Sequence, residues 1–285
     1  MSIPIFIPTI DRAPQLRLLL ESLHINAPGV FKPTVMWKAT GADYRNGYRK
    51  LMKEELGKDV DWKLETNFVK QFYDFIHSNP GYLGFFMDDC IMFRPLPSMA
   101  SKPELLLDDE TWCLSLRLGT NTIVHNYLDG GEQQEMVPIE HNEYAEDFVY
   151  WEFREHDVGK NYGFHFSWDG VIFRSQGLLD LANEDQFDKT SNQWAIIPQR
   201  IENYFMNHRD DVPQNLMCAP KHSVVICMSY NSTHPHAKAG LKFSMSMEEL
   251  NRLYIEEDKV IDLNSIDFSN VVSCHEEFVC GIKEI

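Results

Sequence analysis

The residues best suited to chemistry are two adjacent carboxylates, Asp88 and Asp89, at the end of the largely apolar run Tyr82 to Cys90 (YLGFFMDDC). A strand meant only for burial has no use for two charges side by side, because an unpaired buried charge is strongly disfavoured. Neighbouring side chains of an extended chain point to opposite faces, so both acids can hold one ion only if the chain turns there. The expected division is one direct metal ligand and one acid that orients a ligand hydroxyl or a metal-bound water. Carboxylate oxygens completed by phosphates suit Mg2+ or Mn2+. A solvated strand end or a helix cap is the plain alternative.

The acids must also fit the charge of the whole chain. With 43 acidic against 26 basic side chains in 285 residues, the formal net charge is -17. Such a surface repels nucleic acid and anionic membranes, so a phosphate-bearing ligand needs a local device: a cation, a helix N-terminus or a few placed Arg and Lys. Arg12 is one such device, a fork-shaped donor matched to a diphosphate. Its plain alternative is a solvated Arg beside an Asp11 that caps a helix. Arg117 is a charge inside the apolar stretch LSLRLG and requires either a structural partner or a phosphate.

The elements that must position these residues follow from apolar periodicity. Ile3 to Thr9 reads as a strand, and Leu16, Leu19, Leu20 and Leu23 form a helix stripe opened by Asp11 or Pro14. A second strand fits Pro33 to Thr40, and the charged helix YRKLMKEELG stops at Gly57. Phe68, Phe72, Phe75 and Ile76 share one helix face within Thr66 to Gly81, ahead of the strand that carries the acids. This alternation predicts a mostly parallel α/β sheet flanked by helices.

Beyond Pro97, strands are expected at Trp112 to Gly119, Gly170 to Ser175 and Ser223 to Met228. Helices are expected in SNQWAIIPQRIENYFMNH and in SMEELNRLYIEE, the latter opened by Ser246 with Glu249 in capping-box spacing. The polar, aromatic-rich stretch Asn142 to Phe164 reads as an acceptor cleft or lid, although the same aromatics also suit a helix packed on the sheet. Six cysteines without a CxxC pair, no apolar run long enough to span a bilayer, and no leader-like N-terminus predict a reduced, cytoplasmic protein. The sequon Asn231-Ser232-Thr233 is read as chance.

Taken together, IPIFIPTIDRAPQLRLLLESL and FFMDDCIMFRP resemble the first strand, loop and helix and the metal-binding DxD element of GT-A fold nucleotide-sugar glycosyltransferases (family 2-like, bacterial-type or viral). YGFHFSWDGVIFRSQGLLDLA is similar to their acceptor-side segment. The resemblance implies a single domain of residues 1–285, with a nucleotide-sugar-binding half (1–100) and an acceptor-binding half (101–285). It implies transfer of a hexosyl or pentosyl group from a nucleotide diphosphate sugar, a UDP-sugar by preference, to a saccharide acceptor, with Mn2+ or Mg2+ and with inversion.

Carried onto this chain, the resemblance makes Asp89 the metal ligand, with His234 and His236 as late histidine ligands. Asp88, Thr9, Asp11, Arg12, Arg117 and Lys238 become donor contacts. Trp168 becomes the stacking platform for the acceptor and Asp169 the base, with Glu152 and Asp157 as rivals. The triplet departs from the strict pattern, since Met87 or Cys90 stands where a further acid belongs. Two other readings fit the same residues: a sugar nucleotidyltransferase, or a non-catalytic nucleotide- or sugar-binding protein with a degenerate metal site.

Overall fold

The computed structural model describes residues 2–125, 132–133, 146–182, 197–228 and 245–285. Its first half runs β1 (Ile3–Ile10), α1 (Ala13–Asn26), β2 (Phe31–Lys38), α2 (Ala42–Leu51), α3 (Glu55–Lys58), β3 (Asp61–Leu64), α4 (Phe68–Ser78), β4 (Tyr82–Phe85) and β5 (Cys90–Met92). There follow β6 (Thr111–Ser115), β7 (Val124–His125), β8 (Glu132–Gln133), β9 (Phe148–Glu152), β10 (Val171–Arg174), α5 (Ser175–Leu181) and α6 (Ile197–Asn207). The chain closes with β11 (Leu216–Pro220), β12 (Val225–Cys227), α7 (Met247–Glu257), β13 (Lys259–Asp262) and β14 (Gly281–Glu284).

An 8-stranded sheet in the order β3-β2-β1-β4-β10-β6-β11-β9 forms the centre. Only β10 and β9 run against the rest, so the sheet is mostly parallel as expected. Alternation along β1 sends Phe6 to one face and Ile5 and Ile7 to the other. The Phe6 face packs against α4 in an aromatic core with Phe72, Phe85, Phe166 and Phe173. The opposite face packs Leu16, Leu19 and Leu20 of α1 against Val35, Leu114 and Ile172. The outer side of α1 is covered as well, since Leu18 joins Ile91, Ile226, Leu250 and Ile261 from the small β5–β12 sheet and the C-terminal segment.

Several local expectations change. The charged helix breaks after Leu51 and restarts at Glu55. Asp11 does not cap α1: it adopts a left-handed backbone (φ 59°), and its carboxylate accepts from Thr40 N at 2.8 Å and Thr40 Oγ1 at 2.5 Å. Pro14 does sit in the first turn, and Ser246 does cap α7, accepting from Glu249 N at 3.1 Å. In the stretch read as a lid, Phe148–Glu152 is a buried edge strand paired antiparallel with β11. Phe148, Tyr150, Trp151, Phe153 and Tyr162 are core residues, while Tyr144 lies outside the described residues.

Candidate active site

The C-terminal ends of the parallel strands gather the reactive groups, because β10 runs antiparallel and so begins at the edge where β4 and β6 end. After β4 the chain turns, with Cys90 N donating to Met87 O at 3.1 Å, and this places both acids on the same guanidinium. Asp88 is 1% exposed, accepting from Thr9 Oγ1 at 2.7 Å and from Arg12 Nη1 at 2.8 Å. Asp89 Oδ2 accepts from both Nη1 and Nη2 of Arg12, each at 3.2 Å. The Thr9 hydroxyl spends its one hydrogen on Asp88, so Tyr48 donates to Thr9 Oγ1 at 2.8 Å and accepts from Arg12 N at 3.0 Å.

Burial pushes the Asp88 carboxyl up to about 7; Arg12 opposes that rise and Asp89 adds to it. For Arg12, burial works against the charge, but Asp88 and Asp89 outweigh it and hold the guanidinium protonated. Thr9, Asp11 and Arg12 are therefore all buried and committed to partners inside the protein. The solvated Arg12 of the plain alternative is not what the structure shows.

A second group lies alongside. Asp169 immediately precedes Gly170, whose φ is +72° and where a Cβ would meet Val225 Cγ1 at 2.8 Å, so glycine is required there. Cys227 ends β12, which pairs with β5 so that Cys227 faces Cys90 with their sulfurs 3.8 Å apart. His275 is fixed beside it by Cys227 N donating to Cys274 O at 2.9 Å and by Glu276, which accepts from Val272 N and Ser273 N.

The Cys227 thiol approaches Asp89 Oδ1 at 3.0 Å and Asp169 Oδ1 at 3.4 Å, and His275 Nε2 lies 3.1 Å from Asp169 Oδ2. Arg117, 2% exposed, donates to Cys274 Sγ at 3.3 Å and stands 3.8 Å from Asp169 Oδ2. Burial favours the neutral Asp169 carboxyl, yet His275, Arg117 and Cys227 reverse this and hold it down to about 2. Burial likewise opposes the charge on His275, but Cys274 and Asp169 raise its pKa well above the ordinary value. The Cys227 thiol is pushed far up by its contact with Cys90, by burial and by the two carboxylates.

The expected site residues are thus brought together in part. Asp88, Asp89, Arg12, Asp169 and Arg117 converge, whereas His234, His236 and Lys238 lie outside the described residues. Trp168 does not offer a stacking face: it is 3% exposed, is enclosed by Phe6, Phe68, Phe72, Phe85 and Phe166, and donates Nε1 to Pro198 O at 3.0 Å. The rival Glu152 is exposed on the edge strand.

Cys227, His275 and Glu202 were missed. His275 and Cys227 carry no spacing signal, because their proximity depends on a single bridge between distant segments. Glu202 on α6 senses the same cluster: burial and the charge of Asp169 push its carboxyl up to about 8, against Arg117 and His275.

Carboxylate, thiol and imidazole donors fit a divalent cation. Asp89, Cys90 and Cys227 bring their ligand atoms within 4.8 Å of one another, and so do Asp169, Cys227 and His275. Two surface grooves lie elsewhere, one of about 300 Å³ beside Leu20, His24 and Phe31 and one of about 460 Å³ beside Phe6, Lys32 and Lys63. Neither groove touches these groups.

No protein-family model and no curated protein sequence matches the chain. Solved structures do. A galactosyltransferase LgtC in complex with donor and acceptor sugar analogs is 9% identical, with a TM-score of 0.39 over 76% of this chain and 73% of that one. TarS from S. aureus is 14% identical, with a TM-score of 0.46 over 79% of this chain. A mannosyltransferase from Pyrobaculum calidifontis, in complex with GDP-Man and Mn2+, is 11% identical with a TM-score of 0.40 over 78% of this chain. The present chain spans 36% of TarS and 58% of the mannosyltransferase. These are likenesses in the course of the chain.

Proposed function

We propose that the protein is a GT-A type glycosyltransferase that moves a hexosyl or pentosyl group from a nucleotide diphosphate sugar, a UDP-sugar by preference, to a saccharide acceptor. One observation carries this reading: Arg12, Asp88 and Asp89 converge with Asp169 and His275 at the strand edge where open α/β sheets bind their ligands. Residues 1–100 would hold the donor and 101–285 the acceptor.

Asp89, the more exposed acid with 15% of its side chain accessible, is the direct ligand of Mn2+ or Mg2+ in this reading. Such a cation would neutralise the departing diphosphate. Asp88 orients Thr9 and Arg12 by accepting from both, and Asp11 fixes the loop by its bonds to Thr40. His234 and His236 are proposed as further cation ligands and Lys238 as a phosphate contact, with Arg117 holding Asp169 in place.

A carboxyl at this edge takes the proton of the acceptor hydroxyl, consistent with a single inverting displacement. Asp169, proposed for this from the sequence, has a low proton affinity and partners on both oxygens. Glu202, whose carboxyl burial and Asp169 push up to about 8, is a second candidate.

The same Arg12 contact favours a second reading. A guanidinium that already neutralises both acids stands in for a cation, as expected of a nucleotide- or sugar-binding protein without catalysis. A screen of nucleotide sugars for slow donor hydrolysis separates the two. Release of a free nucleoside diphosphate supports transfer, whereas release of pyrophosphate from a nucleoside triphosphate and a sugar 1-phosphate, in a separate assay, supports a nucleotidyltransferase. No cleavage of any donor contradicts transfer.

A further inference from the structure

We propose that Asp169, Cys227 and His275 form a mixed-donor site for a thiophilic divalent cation of the Zn2+ class, next to Asp89, whose Oδ1 lies 3.0 Å from the Cys227 sulfur. The inference concerns an ion and not a reaction, so it stands or falls apart from the transfer reading.

Three side chains from three distant segments present one oxygen, one sulfur and one nitrogen within 4.8 Å of one another. Measured between partners, Cys227 Sγ is 3.4 Å from Asp169 Oδ1 and His275 Nε2 is 3.1 Å from Asp169 Oδ2. Ligands bound to a tetrahedral ion at about 2.0–2.3 Å lie roughly 3.3–3.7 Å from each other. The two contacts to Asp169 lie near these separations, each through its own carboxylate oxygen, and the three ligand atoms fall within 4.8 Å of one another.

Hydrogen bonding alone leaves the sulfur frustrated. Cys227 faces two carboxylates, Asp89 at 3.0 Å and Asp169 at 3.4 Å, but a thiol has a single hydrogen to give. The second carboxylate is then set against sulfur lone pairs. A cation removes this conflict: Cys227 releases its Sγ proton and the His275 imidazolium its Nε2 proton to solvent, and thiolate, carboxylate and neutral imidazole become ligands.

The surroundings suit the role. His275 points Nε2 inward while Nδ1 meets Cys274 Sγ at 3.3 Å, and Cys274 is itself held by Arg117. An outer contact of this kind fixes the orientation of a ligating imidazole. Gly170 and the β5–β12 pairing fix the other two ligands by their backbones. One sulfur, one nitrogen and one oxygen select Zn2+ or Co2+ over Mg2+, which takes oxygen ligands.

The test is titration of the chelator-stripped full chain with Co2+, read by absorption. One equivalent is expected to give a thiolate-to-cobalt charge-transfer band, displaced by Zn2+ and not by excess Mg2+. Cys227→Ser should remove the band and weaken Zn2+ binding. Cys90→Ser should leave both unchanged, and His275→Gln, measured with the thiol intact, should weaken Zn2+ while retaining the band. Absence of Co2+ binding to the folded chain, a band that survives Cys227→Ser, or equal competition by Mg2+ would overturn the proposal. A chain that gives the band but cleaves no nucleotide sugar keeps the ion site and loses the transfer reading.

Discussion

Arg12 and Asp89 meet through a fork: Nη1 and Nη2 both donate to Oδ2 at 3.2 Å, and Nη1 also reaches Asp88 at 2.8 Å. One buried cation thus serves two acids of the same turn. Removing one partner of such a pair leaves a charge buried and uncompensated, which costs about 3–5 kcal/mol. Arg12→Ala is expected to lower stability by roughly 3 kcal/mol in urea titration, and Arg12→Lys to recover part of it, since a point charge cannot serve the fork. An unchanged midpoint for Arg12→Ala would contradict this account of the turn.

Gly170 carries the second site. Its left-handed backbone costs a side-chain-bearing residue about 1–2 kcal/mol, and a Cβ there would press on Val225. Gly170→Ala should destabilise the fold by roughly 2–4 kcal/mol once overpacking is added. Measured against Val225→Ala alone, adding Gly170→Ala should cost only the backbone part, about 1–2 kcal/mol.

Trp168 should behave as a core residue. Trp168→Ala is expected to lose about 3–5 kcal/mol of stability, while Trp168→Phe should leave sugar affinity unchanged. A large loss of sugar binding in a stably folded Trp168→Phe variant would restore the stacking role.

His165 makes folding sensitive to acid. Its ring lies against Phe153, and burial, with Arg209 and Arg154 nearby, lowers its pKa from 6.5 to about 3. The folded state requires the neutral ring, so this stabilisation is complete above about pH 6.5 and declines as the pH falls toward 3, by up to about 1.4 kcal/mol per unit. His165→Gln should flatten the stability profile between about pH 6 and 4 relative to the parent chain. Parallel profiles would show that His165 does not carry the acid response.

The elements with strong local patterns were readable: the β1 run, the leucine stripe of α1, the phenylalanine face of α4 and the Ser246 cap all correspond to observed structure. What failed depends on pairing at a distance. Phe148–Glu152 looks like a lid because aromatics alternate with acids around it, and only β11, whose strand begins at Leu216, makes it a core strand. The acids looked unequal by alternation, but the Met87–Cys90 turn gathers both onto Arg12. Cys227 and His275 became neighbours through the β5–β12 pairing and one bridge near the C-terminus, for which no local pattern exists.

The account's central claim is that Asp89 binds a cation that in turn binds the donor diphosphate. Calorimetric titration of UDP into the wild-type chain and into Asp89→Ala, with and without Mn2+, tests it most directly. The expected result is that Mn2+ tightens UDP binding by roughly tenfold or more, about 1.4 kcal/mol, in the wild type only. Equal UDP affinity with and without Mn2+, together with undiminished binding by Asp89→Ala, would contradict it.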